Sequence, residues 1–364
     1  MAIYQFGFIM EQTLGHITHS TNLQQWTATD PKVMAEWEMI AFDAPDIWQH
    51  LPGFRRNWSL RASARGRAAA KKIVQKRGSD ALFFHTQVTS LLSIQTMRRV
   101  PTVISLDATP LNYDNVGSGY GHQRSGRWTE ELKWWLNRRA FRSAYYLVTW
   151  SQWAKQSLVS DYGIRAEKIM VIPPGVNLGR WRFDRCPSVA KRRIRLLFVG
   201  GDFKRKGGSI LLEAFRSNLK NDCELHIVTQ TTDIEASDRV FIHRDVSPNS
   251  DELLSLYEMA DIFVFPSLAD CLPIAVMEAM AAELPVITTN VGAIGEEIQD
   301  GINGVVVPPN DAVKLAEAID NLADHPDLRY ELGQKARRAA VDRFDGARNY
   351  GAILSVMKRC ADGI

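Results

Sequence analysis

Cysteine is scarce in this 364-residue chain: Cys186, Cys223, Cys271 and Cys360 stand far apart, with no CxxC pair and no Cys/His cluster. That argues against a disulfide framework and against a zinc site, and it fits a reducing cytoplasm. No apolar run approaches the ~20 residues that a membrane-spanning helix needs. The opening MAIYQFGFIM lacks the basic start and cleavage site of a secretory signal. A cytoplasmic protein is expected, soluble or peripheral on the cytoplasmic membrane. Repeats and low-complexity tracts are missing as well. Tryptophan is absent after Trp181, although ten occur from Trp26 to that point. Acids are absent from residues 54–77, which carry nine Lys and Arg.

What is present describes a two-domain globular protein. At 364 residues, with 45% hydrophobic and 23% charged residues, the chain exceeds the size at which one core stops growing. Its net charge of +3 conceals an asymmetry, +10 over residues 1–187 and −7 over 188–364. Two halves of different chemistry predict two domains with different partners. Apolar runs predict strands at Tyr4–Met10, Glu36–Phe42, Ala81–His85, Thr102–Leu106, Tyr145–Trp150 and Lys168–Ile172. A Pro-, Gly- and charge-rich linker follows over 173–193. Further strands are predicted at Ile194–Val199, Glu224–Val228, Val240–His243, Asp261–Phe265 and Val286–Thr289. Helical patterns between them predict parallel sheets. Residues 311–325 and 327–343 read as surface helices.

Residues 261–304 are the most informative. A β-rich run meets Pro266-Ser267, a helix is predicted from near Pro273, and a second run, Pro285 to Ile287, ends at Val291-Gly292-Ala293. In such strand–loop–helix–strand units ligands bind at the strand C-termini. Asp270 and Glu278 fall across the helix N-terminus, where N–H groups favour an anion and carboxylates suit sugar hydroxyls. Phosphate and polyol together suggest a nucleotide sugar. An N-cap is the bland role for Asp270, and an exposed helix carboxylate is the bland role for Glu278. The buried-looking neighbours of Glu278 argue for a partner instead.

This stretch resembles the retaining glycosyltransferases of family 4, whose hallmark is a pair of Glu separated by seven residues. The matching residues are Pro266-Ser267, Asp270, Glu278-Ala279-Met280-Ala281 and Pro285-Val286-Ile287, followed by Val291-Gly292, Glu297-Ile298, Asp300-Gly301 and Gly304. The resemblance implies an α/β GT-B fold: two Rossmann-like doubly wound domains facing a central cleft. An acceptor domain would span residues 1–187 and a donor domain 188–345, with a helix in 346–364 crossing back to the first. In that family Glu278 would take the donor ribose, and Asp270 would contact the transferred sugar. The chain departs from the pattern where Asp replaces the first Glu and where Cys271-Leu272-Pro273 replaces Gly-Phe-Gly. Pro273 offers no N–H, so the amides of Leu272, Ile274 and Ala275 are the candidates for phosphate.

A second motif, Phe198-Val199-Gly200-Gly201-Asp202-Phe203-Lys204-Arg205-Lys206-Gly207-Gly208, joins a strand to a helix. Glycines such as Gly201 let backbone approach a ligand, and the basic side chains suit phosphate oxygens. Alone, Lys204-Arg205-Lys206 reads equally as a solvated charge cluster. The resemblance implies an Arg and a Lys on the donor diphosphate, matched here by Arg205 and Lys206. Near the first strand, Gly15 matches the family's phosphate-side glycine loop. His16 does not match it, and is a candidate donor to phosphate or acceptor, or a structural His. Asp107, before Pro110, stands where many members have a His near the reacting carbon; a turn cap is its bland role. Leu111 to Arg127, with Gly117, Gly119, Tyr120, Gly121 and Gly126, reads as an acceptor loop.

The basic stretch 54–77 could place Trp58, Ala62, Ala69, Ile73 and Val74 on one helix face. Two partners suit it: an anionic membrane surface, or the protein's own sheet. No nucleic-acid motif accompanies it. The reading is a retaining, metal-independent hexosyltransferase without a cofactor. It would move sugar from a nucleoside diphosphate to an acceptor hydroxyl, on a lipid, saccharide or small molecule. A GT-B phosphorylase and a non-catalytic nucleotide-sugar-binding module are the rivals.

Overall fold

A computed structural model describes residues 3–13, 15–41, 47–50, 57–116, 126–183, 185 and 193–364. Residues 54–56 of the basic stretch, residues 184 and 186–192 of the expected linker (Cys186 among them), and Gly117, Gly119, Tyr120 and Gly121 of the expected acceptor loop lie outside these. The chain divides into two compact units. One comprises the described residues up to Asn115, residues 126–175, and Gly346–Ile364; the other comprises Val116 and Val176–Asp345.

The first unit is built on β1 (Tyr4–Gln12), β2 (Val33–Ala41), β3 (Ala81–His85), β4 (Thr102–Leu106), β5 (Tyr146–Thr149) and β6 (Ile169–Val171). All pair in parallel in the order β2-β1-β3-β4-β5-β6. The second carries β7 (Ile194–Val199), β8 (Cys223–Val228), β9 (Val240–His243), β10 (Ile262–Phe265), β11 (Val286–Thr289) and β12 (Val305–Val307). These too are parallel, ordered β12-β11-β10-β7-β8-β9. Central strands β3, β4, β10 and β11 are buried at every position. Covered on both faces, they read as unbroken apolar runs instead of alternating ones. The expected α/β architecture of two doubly wound sheets is therefore what forms.

Strand order locates the ligand ends. In the first sheet the chain leaves β1 towards one edge and β3 towards the other. In the second it does so at β7 and β10. Such a reversal opens a crevice beyond the strand C-termini. Those ends are Thr13 with Gly15-His16 and His85-Thr86 in the first unit, and 200–207 and 266–270 in the second.

The second unit begins at Val176 rather than at the expected 188. Trp181 is fully buried edge-on against Tyr257, with ring centroids 4.8 Å apart. Arg185 donates to the carbonyls of Tyr257, Ala260 and Ala282. Part of the expected linker is thus structural core. Helix Gly346–Asp362 returns to the first unit, where Tyr350, Ile353, Leu354, Val356, Met357 and Cys360 pack with Phe6, Phe8 and Phe83. Lys358 pairs with Asp30 at 2.5 Å.

Of the two partners considered for the basic stretch, helix Trp58–Arg77 uses the sheet. Ala62, Ala69 and Ile73 are buried in the first unit's core, with Trp58 and Val74 packed against it. Lys72 and Lys76 pair with Glu38 and Glu36 of β2 at 2.6 and 2.9 Å. An apolar face spent on the core cannot also enter a bilayer. The apolar face of the helix is thus accounted for within the fold.

Candidate active site

In the second unit two glycines hold the loops together. Gly207, with φ +79°, caps helix Gly208–Ser217, and a Cβ there would stand 1.9 Å from the Pro266 carbonyl oxygen. Gly292, with φ +59°, sits equally close to the Asp270 carbonyl oxygen. The loop after β7 and the loop after β11 thus both close upon residues 266–271.

That closure brings Arg205, Lys206 and Asp270 together. Lys206 Nζ lies 3.2 Å from Asp270 Oδ2 and 5.0 Å from the Phe265 ring centroid. Arg205 is only 6% exposed. Its Nε donates to Asp202 at 2.9 Å and its Nη1 to the Ala269 carbonyl at 2.6 Å, with Asp270 Oδ2 at 3.5 Å. So placed, Arg205 braces the loop, and Lys206 is the better placed cation for a ligand. Asp270 does not cap the helix. Its Oδ1 accepts from the Cys271 amide at 2.9 Å, and the N-cap of helix Ile274–Ala281 is Pro273. Pro273 precedes the first helical residue instead of occupying it, because its extended ψ of 119° lies outside the helix. The amides of Ile274 and Ala275 fall in the first turn, where N–H groups have no intrahelical acceptor. Leu272 is buried beside them. At Gly201 no atom stands within 4 Å of a would-be Cβ, so the backbone there is open to a ligand.

Glu278 is buried on the same helix. Tyr257 Oη donates to its Oε2 at 3.1 Å. Burial raises its pKa to about 8, with the Tyr257 hydrogen bond and the Lys206 charge opposing. Its Oε1 has no partner among the described residues. Glu297 is 1% exposed, and neither of its oxygens is hydrogen-bonded among the described residues. Burial pushes its pKa well above the carboxylate range, Arg343 opposes, and the charges of Asp270 and Glu296 add to the rise. Around one ammonium and one carboxylate stand two acids that burial keeps protonated. Tyr257 was not singled out from sequence, and Glu297 entered there only as part of the family pattern, with no role. Tyr257 sits in an apolar helix pattern with Leu253, Leu254 and Leu256, and only the fold brings it to Glu278.

In the first unit the structure joins His16 and Asp107. His16 Nε2 is 3.3 Å from Asp107 Oδ2, and Nδ1 is 3.3 Å from the Thr13 hydroxyl. Burial alone would raise Asp107, but His16 beside it holds its pKa below the usual value. Gly15 caps helix His16–Thr27, with open space at its Cα. Glu11, at the end of β1, was not foreseen. It accepts from Thr86, from Trp58 Nε1 at 3.1 Å and from Thr13 at 3.2 Å. A lone acid closing the run Tyr4–Met10 was the available signal. Behind His16, His19 and His85 are stripped of water; burial lowers His19 to about 3 and His85 well below its usual value. Both are neutral at pH 7. Among the described residues no group of three or more His, Cys, Asp or Glu is placed to hold a metal ion.

Paired doubly wound units with polar clusters at their switch points define the GT-B class of α/β protein. A model of Glycosyltransferase Family 4 matches residues 30–180, and one of Glycosyl transferases group 1 matches residues 193–325. The chain belongs to glycosyltransferase family 4. It is 27% identical over 311 residues to a D-inositol 3-phosphate glycosyltransferase of Paenarthrobacter aurescens, covering 78% of this chain and 74% of that one. It is also 27% identical over 220 residues to the MMP alpha-(1->4)-mannosyltransferase of Mycolicibacterium hassiacum, covering 57% and 53%. The chain spans about half the length of most of these curated relatives. Among solved structures, sucrose-phosphate synthase from Thermosynechococcus elongatus superposes with TM-score 0.77 at 17% identity, covering 99% and 100% of the two chains. HepE of Anabaena, in complex with UDP and glucose, gives 0.71 at 15%, covering 98% and 99%.

Proposed function

We propose that the protein is a retaining glycosyltransferase that moves a sugar from a nucleoside diphosphate sugar to an acceptor hydroxyl. The carrying observation is the Lys206–Asp270 pair beside buried Glu278 at the second unit's switch point. Lys206 and the first-turn amides of Ile274 and Ala275 would meet negative charge growing on the departing diphosphate, the electrostatic contribution that commonly dominates catalysis. Arg205 would hold that loop in place. Glu278 Oε1 would accept from the ribose, and Asp270 would orient the sugar. HepE, of the same fold, holds UDP and glucose.

In the transfer the bond from the anomeric carbon to the phosphate oxygen breaks, and the acceptor oxygen bonds on the same face. The acceptor proton passes to the leaving phosphate, so no separate base and no metal need enter the step. His16 and Asp107 would bind the acceptor hydroxyl. The phosphorylase and binding-module alternatives gain nothing from the relatives.

The test is thermal unfolding with UDP-, GDP- and ADP-sugars, on wild type and Glu278→Ala. A ligand at 100 times its dissociation constant should add about 2.7 kcal/mol. A shift with one nucleotide that the variant loses would support the site and identify the base. No shift with any of them would overturn the donor assignment.

A further inference from the structure

Helix Arg127–Ser143 carries an unusual stripe. Trp128 is 86% exposed, Leu132 57% and Trp135 48%. Arg139 and Arg142 are exposed further along. At 100° per residue these five positions fall within an arc of about 80° and extend about 21 Å along the axis. The opposite face is ordinary core, with Asn137, Ala140 and Phe141 buried. Neighbouring tryptophans divide between the two faces. Trp134 packs against the core and donates Nε1 to the Asp161 carbonyl at 3.0 Å. Trp135 points outward, with the Arg139 guanidinium 5.2 Å from its ring centroid.

We infer that this stripe docks the protein on an anionic lipid surface, with Trp128, Leu132 and Trp135 entering the headgroup region and Arg139 and Arg142 meeting lipid phosphates. Tryptophan favours that boundary because its ring is apolar and its N–H polar. The arginines supply charge complementarity on the same face. The acids lie at the flank: Glu131 pairs with Arg127 at 2.9 Å, and Glu130 with Lys133 at 3.4 Å. A second copy of the chain fits less well. Two tryptophans and a leucine offer about 500 Å² even when fully covered, below the ~800 Å² per partner of a stable interface. The inference does not depend on the proposed transfer.

The experiment is co-sedimentation of the full chain with vesicles of phosphatidylcholine alone and of phosphatidylcholine with 30% phosphatidylglycerol. Binding to the second only, weakened by high salt, is expected. Arg139→Ala/Arg142→Ala should lower the partition coefficient about 25-fold, about five-fold per charge. Trp128→Ser/Trp135→Ser should lower it at least as far, with thermal unfolding unchanged. Lys71→Ala on helix Trp58–Arg77 should change it by less than two-fold. No binding, equal binding to neutral vesicles, or full binding by the tryptophan variant would each overturn the inference. So would concentration-dependent self-association of the wild type that the tryptophan variant abolishes, since the stripe would then join copies of the chain.

Discussion

Raising the pH from 6 to 8 should tighten donor binding by about fifty-fold, through Glu278 alone. The free carboxyl titrates at about 8 because burial disfavours its charge. Ribose hydroxyls donate hydrogen bonds, so they select the ionised form. With that pKa the ionised fraction is about 1% at pH 6, about 9% at pH 7 and half at pH 8. The apparent dissociation constant therefore falls about fifty-fold over that interval, or about 2.3 kcal/mol, and levels off near pH 9. A nucleoside diphosphate sugar is the right probe, since its doubly esterified diphosphate does not titrate there. Isothermal calorimetry in buffers of different ionisation enthalpy should also show a proton released on binding at pH 7. Stability of the free protein runs the other way. The folded state keeps a proton that the unfolded chain loses above about pH 4.5, so stability falls as pH rises from there to about 8. Glu278→Gln should bind with no pH slope. A wild-type affinity constant within three-fold from pH 6 to 8, or an equal slope in the Gln variant, would refute the reasoning.

Two further outcomes follow from the same loops. Glu297→Gln replaces an acid that burial keeps neutral with a neutral isostere, so stability at pH 7 should hold to within about 1 kcal/mol or rise. Its advantage over wild type should grow with pH above about 4.5 in chemical denaturation; parallel pH profiles would contradict this. Gly207→Ala adds a methyl in a left-handed conformation, facing the Pro266 carbonyl. A loss of at least about 2 kcal/mol is expected, together with loss of nucleotide-dependent stabilisation. An unchanged melting temperature would show that the loop packs otherwise.

Most strands were legible because buried parallel strands leave long apolar runs, as in Ala81–His85 and Ile194–Val199. Strand β12 was missed: three residues behind Gly304 are too few to show a period. The placement of Asp270 and Glu278 about a helix start was legible because both lie in one local segment. What escaped depends on contacts between distant segments. Ala269, which helps Asp202 hold Arg205, and Tyr257, which pairs with Glu278, come from elsewhere in the chain, so composition could not separate a brace from a ligand. Helix Trp58–Arg77 shows a different limit. An amphipathic pattern states that an apolar partner exists, and a sheet and a lipid surface satisfy it equally.

The return of helix Gly346–Asp362 reverses the order in which the chain can be completed. During synthesis the second unit has all its residues once Asp345 emerges. The first, although begun earlier, still lacks Tyr350, Ile353 and Met357 from its core. Domains otherwise tend to fold in the order they are made. Here the earlier-made sheet waits with one apolar face only partly covered, by Leu23 and Trp26, and a ribosome stalled before Tyr350 would hold a finished second unit tethered to an unfinished first.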